Sequence, residues 1–457
     1  MASPEEALEL AERALAAVGG GHDALARVAC ERSQLLRYAK SRPTQATAVE
    51  DLTVEVAVVR DGHVGSAETN RTDAESLRAV AQAATAAAEA TARHAGAGTF
   101  PGFPPPASAR AHDGWDRETA RVDPQAGGQA LALAFETAAR HGVEAHGTWT
   151  SGEVVTAVAT TTGTAAAERV TDAFMKAAAI GADGRSGFAT ETAAAVSGLD
   201  VAGAAERAAR KAAADGDPVE LPPGEYPVVL DVDAVGELLG WLGLLTFNGQ
   251  AYAEGRSAVE GRLGARVAAP SINLSDSPRH PRTLPRSYDA EGTPKAPVPL
   301  IQDGVAHRIV HDTRSAAEAG GDARSTGHAV VPGGGEWGAI PTNLVLIGGG
   351  ARDVDELARP IERGIYITRL WYTNPIRPKE TLITGMTRDG TFLIEDGRIT
   401  RPLKDMRLTD SVLGILERTQ DLGSRPRLVS EGEFYGRRFA HGTVCPPLRA
   451  SSMRFTG

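Results

Sequence analysis

A run of chain breakers, Asp215-Gly216-Asp217-Pro218 and then Pro222-Pro223-Gly224, divides this sequence into two stretches with different grammars. Proline fixes φ and lacks a backbone donor, so neither a helix nor a central strand runs through such a segment. The break predicts a domain boundary, with one domain over 1–217 and a second over 218–457. Each is long enough to bury its own core.

Before the break, helical and strand patterns alternate. Ser3-Pro4-Glu5-Glu6 reads as a helix start, with Ser3 as cap, Pro4 in the first turn and Glu6 closing a capping box. Leu8, Ala11 and Leu15 then share a face, and Gly19 to Gly21 stop the helix. Leu52, Val54, Val56 and Val58 alternate with Thr53, Glu55 and Ala57, the two-residue period of a half-buried strand. Asp61-Gly62 turns that strand, and Thr72 with Glu75 predicts a second capping box ahead of an alanine-rich helix running to about Ala95. The motif DGHVGSA at Asp61–Ala67 recurs as DGRSGFA at Asp183–Ala189, each ahead of a helical segment. The first domain therefore reads as a pseudo-repeat of strand–helix units, joined through a Pro/Gly-rich excursion from Gly96 to Ser108.

After the break come a short strand over Tyr226–Leu230 and a helix from about Asp233 to Leu245, apolar nearly all round and so predicted to be buried. Asp303-Gly304, Asp389-Gly390 and Asp396-Gly397 then punctuate β-rich runs, which predicts a largely antiparallel sheet. The expected fold class is α+β: an N-terminal α/β domain of repeated strand–helix units plus a C-terminal, mostly antiparallel β domain.

The overall balance excludes several functions. A formal charge of −10 gives no basic field for nucleic acid. The longest apolar stretch, around Leu238–Leu245, is far shorter than the roughly 18 residues a membrane helix needs. The acidic N-terminal residues form neither a secretory signal nor a transit peptide, so a cytoplasmic location is expected. The two cysteines, Cys30 and Cys445, stand far apart with no CxxC pairing, as packed thiols of a reducing compartment do.

Few residues carry a pattern that points to chemistry. His307 and His311 are spaced like metal ligands on a helix, but they follow a DG turn in a β-rich run, where four residues span about 13 Å. That is too far for one zinc with bonds of about 2 Å. His141 and His146 have no carboxylate pattern around them. The glycine runs 333–335 and 348–350 lack the GK[ST] ending of a phosphate loop and read as turns. No GxSxG elbow supports a serine nucleophile.

Several motifs, in their order and spacing, carry a resemblance. These are DGHVGSA, DGRSGFA, YPVVLDVDAVGELLGWLG from Tyr226, PTNLVLIGGG from Pro341, IERGIYITRLW from Ile361, and GTFLIEDGRITRPLKDMRL from Gly390. Together they resemble the TldD/PmbA family over nearly the whole chain, and within it the TldE (PmbA) branch. The resemblance implies an α/β N-terminal and a β-rich C-terminal domain, and a heteromeric pairing of TldE-type with TldD-type subunits. It also implies that only the TldD-type partner carries zinc, on an HExxxH helix with a further cysteine ligand near the C-terminus.

Carried onto this chain without gaps, the three functional positions of that helix fall on Gly240, Trp241 and Leu245. Glycine has no side chain, indole only donates and leucine has no lone pair, so no ligand or base is expected there. No histidine occurs between His146 and His280, so a shift in register supplies none. Cys445, in AHGTVCPPLRAS, resembles a TldE-type ending and is not expected to bind metal. Trp371 and Tyr372, expected to follow the IERGIYITRL strand, are the candidate peptide-binding residues, because aromatics give large contact area at low entropy cost. The resulting expectation is a non-catalytic subunit with no cofactor of its own. It would complete a peptide-binding chamber for a zinc-bearing TldD-like partner that cleaves extended peptides or a peptide-derived natural product. A self-sufficient, metal-independent amide or small-molecule enzyme, and a peptide-binding structural protein, are the alternatives.

Overall fold

A computed structural model describes residues 2–430, 432 and 436–457. Helix α1 (Pro4–Ala16) begins with the reciprocal box: Glu6 N–H donates to the Ser3 hydroxyl, and Ser3 N–H to the Glu6 carboxylate at 2.7 Å. Strands β1 (Asp23–Ala39) and β2 (Arg42–Arg60) form a long hairpin. In its Lys40-Ser41 turn both residues have φ 52°, the left-handed values of a two-residue type I′ turn. The alternation at Leu52–Val58 marked only part of β2, which pairs with β1 from Arg42 to Val59 with one bulge at Thr44.

After the Asp61-Gly62 turn come β3 (His63–Thr69) and α2 (Ala74–His94). The cap of α2 is Asp73, not Thr72. Its carboxylate takes both the backbone N–H and the hydroxyl of Ser76, which a threonine hydroxyl cannot match. Beyond the one-turn α3 (Arg117–Ala120), the order repeats as α4 (Pro124–Arg140), β4 (Glu144–Thr160), β5 (Ala165–Ile180), β6 (Ser186–Ala193) and α5 (Val201–Ala212).

These strands make one antiparallel sheet, β3-β2-β1-β4-β5-β6, in which the two triplets meet at β1–β4. The repeated sequence motif has a physical cause. A Cβ on Gly65 would lie 2.1 Å from the Ala88 backbone nitrogen, and one on Gly187 2.0 Å from the Ala208 oxygen. Each motif thus combines a strand turn with a glycine that lets the following helix lie directly on its strand.

All strands of the other two sheets follow residue 223. Helices α6 (Val232–Leu245), α7 (Gly249–Ala253), α8 (Thr313–Ala319), α9 (Val354–Ala358) and α10 (Val412–Glu417) are interspersed among them. One sheet joins β8 (Leu274–Asp276), β9 (Val298–Gln302), β10 (Val305–Ala306), β11 (Asn343–Leu346), β17 (Arg427–Val429) and β18 (Gly442–Cys445), in the order β10-β9-β8-β11-β18-β17. The other runs β12-β7-β19-β15-β13, built from β7 (Gly224–Leu230), β12 (Arg363–Arg377), β13 (Leu382–Glu395), β15 (Arg407–Ser411) and β19 (Leu448–Phe455). Pairing of β12 with β13 closes it into a ring, which β14 (Arg398–Pro402) and β16 (Thr419–Leu422) extend at β13 and β19. Closure leaves the ring strands without a free edge.

The pairing is mostly antiparallel, with β7–β12 and β11–β18 parallel. Asp303-Gly304 and Asp396-Gly397 turn strands, but Asp389-Gly390 does not. It lies inside β13, where two residues face the single Thr368 of β12, a β-bulge whose positive φ values (55° and 116°) suit Asp-Gly. Among the described residues, no helix is long and apolar enough to cross a membrane.

Helix α6 sits at the centre of the second half, between the ring and the other sheet. Leu238, Leu239 and Leu242 are fully buried in a cluster with Val228, Leu230, Leu344, Ile365 and Ile367. The two halves meet through polar groups. The Arg438 guanidinium forms a buried two-pronged pair with Asp172 at 2.7 Å, Ser186 donates to Asp389 at 2.6 Å, and Glu168 accepts the Ser287 N–H at 2.7 Å. Such pairs hold register between surfaces because a one-sided loss leaves a buried charge.

Candidate functional site

The outward face of α6 is exposed only toward its C-terminal half. Gly240 is exposed, and a Cβ built on it meets nothing within 4 Å, so there is open space where a larger side chain would stand. Trp241 is half-buried, with its indole N–H aimed at the Thr373 hydroxyl (2.7 Å) and the Glu237 carboxylate (3.2 Å). The Thr373 hydroxyl also donates to Glu237, which ties the three side chains into one cluster. Leu245 is 9% exposed and belongs to the core. A divalent ion needs several lone pairs at about 2 Å. Gly240, Trp241 and Leu245 offer none, so the positions the sequence singled out do not fit a metal.

Glu237 is the acidic group that the sequence reading overlooked. It precedes Trp241 by four residues and therefore shares its helix face. That spacing was the available signal; the partner Thr373, more than a hundred residues away, was not visible in it.

Trp371 and Tyr372 stand beside this cluster in the chain. They do not follow the strand, as the sequence reading placed them, but lie inside β12, which continues to Arg377. There Tyr372 and Thr373 bulge opposite the single Gly385 of β13, and Tyr372 takes φ 52°. The bulge turns Thr373 inward to Trp241 and leaves Trp371 42% and Tyr372 76% exposed. Their rings lie 5.6 Å apart, and the Arg388 guanidinium stacks 4.1 Å from the Trp371 ring centre. Ile376, 49% exposed, extends the apolar surface along the strand.

The first turn of α6 is different. Asp231 caps the helix, accepting the Val232 N–H at 2.8 Å, the Tyr366 hydroxyl at 2.6 Å and Lys211 Nζ at 3.2 Å. Asp233 accepts the Thr190 hydroxyl. Arg427 reaches from β17 to Glu191 at 3.3 Å and to Asp231 at 4.0 Å. Burial opposes ionisation of Asp231, but Lys211 and Arg427 outweigh it and hold the carboxyl well below its usual range. Burial pushes Asp233 up, the neighbouring Asp231 adds to this, and Arg427 does not fully offset them. Burial likewise lowers the Lys211 ammonium, against the pull of Asp231 and Asp233. These groups bridge the two halves and face the core.

Cys445 belongs to this buried end. Its thiol donates to the Val232 carbonyl at 3.4 Å, and burial, with Asp233 nearby, raises it far above the ordinary thiol range. At 1.5 Å per residue, Val232 lies about 13 Å along the helix from Trp241. Cys445 and the exposed face therefore cannot share an ion. Cys30 is also buried, and burial raises its thiol.

The other candidates are dispersed. His307 is exposed and His311 buried against the Ser315 hydroxyl at 3.3 Å, in the irregular segment after the short β10 and not in a strand. His141 ends α4 beside Glu206 at 3.0 Å, while His146 lies in β4. Among the described residues, no three His, Cys, Asp or Glu side chains gather as metal ligands. Two concavities lie away from the α6 face. One is a small pocket walled by Arg27, Glu168, Arg286, Lys295 and His328; the other is a wide groove beside Ser3, Pro106, His112, Trp115 and Arg169.

This fold and its central helix define a recognised class. The description "PmbA/TldA metallopeptidase C-terminal domain" matches residues 223–457, and "PmbA/TldA metallopeptidase domain 1" matches 27–88. The chain belongs to the TldD/PmbA family. It is similar to a metalloprotease of Methanothermobacter thermautotrophicus, 26% identical over 211 residues that make up 45% of this chain and 44% of that protein. A metalloprotease TldD homolog of Haemophilus influenzae is 24% identical over 238 residues, 49% of this chain and 46% of the relative. These matches thus span less than half the length of either relative. In fold, the chain is similar to TldE from Thermococcus kodakarensis, with a TM-score of 0.84 at 19% identity over 95% of this chain and 97% of the other. A Thermotoga maritima protein described as a modulator of a DNA gyrase gives a TM-score of 0.84 at 21% identity, over 98% and 99% of the two chains.

Proposed function

We propose that this chain is the non-catalytic subunit of a two-subunit zinc peptidase of the TldD/TldE type. In this reading it completes the peptide-binding chamber of a TldD-like catalytic partner in the cytoplasm, and the substrate is an extended peptide or a peptide-derived natural product. One observation carries the proposal: the face of α6 at Gly240, Trp241 and Leu245 presents no lone pair to a metal, and Glu237 is tied to Trp241 and Thr373. The family membership and the likeness in fold to a TldE support the subunit role.

The exposed Trp371–Tyr372 pair beside this cluster is the proposed peptide contact, supplying flat apolar area stiffened by Arg388. The division at 217/218 belongs to the same reading, with the first half shaping the chamber and the second carrying the degenerate helix. Reconstitution with a TldD-like partner tests it. Peptide hydrolysis is expected only when both chains are present, and a chelator is expected to abolish it. Chelator-resistant turnover by this chain alone would replace the proposal with a self-sufficient enzyme.

A further inference from the structure

The small pocket walled by Arg27, Glu168 and Arg286 lies where the two halves of the chain meet. Arg27, Thr156 and Glu168 come from the first half, and Arg286, Lys295 and Phe439 from the second. Sites for small molecules favour such junctions. Arg286 stands in the irregular segment between β8 and β9, only 7% exposed, with its guanidinium 4.3 Å from the Phe439 ring centre. Among the described residues its side chain makes one long hydrogen bond, from Nη2 to the Ala440 carbonyl at 3.5 Å, and its Nε–H has no partner.

A buried guanidinium is costly to hold without a counter-charge, and the acids around it are committed elsewhere. Asp172 pairs with Arg438 at 2.7 Å, and Glu168 uses its Oε2 for His112 at 3.0 Å and for the Ser287 N–H at 2.7 Å. Asp289 takes the backbone N–H groups of Glu291, Thr293 and Ala329. The other cations of the wall have partners too: Arg27 pairs with Glu55 at 3.6 Å, and Lys295 donates to the Gly327 carbonyl at 3.0 Å. The Arg286 donors stay unmatched, and so does the buried Oε1 of Glu168, an acceptor without a donor.

We propose that this pocket binds a carboxylate with a hydrogen-bond donor at its α position, the carboxylate meeting the Arg286 fork and the donor meeting Glu168 Oε1. Arginine presents its N–H groups in a plane that matches two carboxylate oxygens, and such charge-assisted pairs are stronger than neutral ones. The pocket's volume of about 30 Å³ is that of roughly one or two waters, which suits a carboxylate head and not a whole side chain. Glu168 and Tyr288 also line the wide groove, so the rest of a larger ligand has room where the two adjoin. An α-amino acid, an α-hydroxy acid and the C-terminal residue of a peptide all carry this pattern. The site lies away from α6, so the inference does not rest on the peptidase reading.

Isothermal titration calorimetry of the purified full chain tests this with free alanine, lactate, acetate and alaninamide. Alanine and lactate are expected to bind at millimolar concentrations. Acetate should bind about fivefold more weakly, the worth of one hydrogen bond, and alaninamide, which lacks the carboxylate, not at all. Trialanine and its C-terminal amide identify the source. Tighter binding of the free-acid tripeptide than of alanine assigns the site to a chain end, and binding of alanine without the tripeptide assigns it to a free acid. Arg286→Lys keeps the charge but loses the fork, and should weaken alanine binding at least about tenfold with the circular dichroism spectrum unchanged. Alaninamide binding as tightly as alanine, no binding by any of the carboxylates, or alanine binding unaltered in Arg286→Lys overturns the proposal. The comparison of alanine with alaninamide uses the unaltered chain, so it decides even if the variant fails to fold.

Discussion

The two ends of α6 carry opposite chemistry. At its first turn, Asp231 and Asp233 are buried beside Lys211, Arg427 and Tyr366, and their protonation is pulled in opposite directions. Along its outward face, Gly240 and Trp241 are neutral, Leu245 beyond them packs into the core, and Glu237 is bound to two neighbours. Strongly perturbed carboxylates often mark reactive sites. Here they bridge two packed halves instead, and the half-exposed face of α6 carries Glu237 already hydrogen-bonded to Trp241 and Thr373. Perturbation locates burial; reactivity also requires access.

The largest expected break in this contrast comes from Asp231→Ala. It removes the cap and leaves Lys211 buried without its ion-pair partner, which costs about 3–5 kcal/mol in comparable buried pairs. Chemical denaturation measures it, and a loss below about 1 kcal/mol would mean the first turn is not the structural anchor described.

The pH dependence sharpens the same comparison. Asp231 is lowered in the folded state, so its contribution is present above the unfolded carboxyl pKa of about 3.9 and is lost as pH falls toward the folded value. Asp233 is raised, so its contribution is present below that pKa and is lost as pH rises through the folded value. Each proton is worth at most about 1.4 kcal/mol per pH unit. Asp231→Asn should flatten the acid side of the stability profile, and Asp233→Asn should flatten a decline that begins above about pH 4. Profiles that change in the same direction would contradict the opposed shifts.

On the outward face the effects are smaller. Trp241→Phe removes the indole donor shared by Thr373 and Glu237 and should cost about 1 kcal/mol. Gly240→Ala fills open space on an exposed helix position and should stabilise by about 0.5–1 kcal/mol, because glycine is a poor helix former. Replacing Trp371 and Tyr372 together by alanine should leave stability within about 0.5 kcal/mol, since both are exposed. Peptide affinity, read by fluorescence anisotropy, should fall about tenfold as for aromatic contact residues. Unchanged affinity would remove the pair from the proposed contact.

The sequence revealed local and repeated features well. The Ser3–Glu6 box, the buried character of α6 and the duplicated DG motif all depend on residues close in the chain, and the structure explains the motif's second glycine by helix–strand approach at Gly65 and Gly187. Features created by pairing were less legible. Asp389-Gly390 looked like a hairpin turn and is a bulge, because only the β12 register distinguishes the two. Trp371 and Tyr372 looked like residues beyond a strand for the same reason. The Glu237–Trp241–Thr373 cluster needs a contact across 136 positions, which no local pattern encodes.

Metal analysis of this chain purified without a partner tests the central claim most directly. The account predicts far less than one zinc per protomer, unaffected by added zinc after dialysis. One tightly held, tetrahedrally ligated zinc per protomer would contradict it.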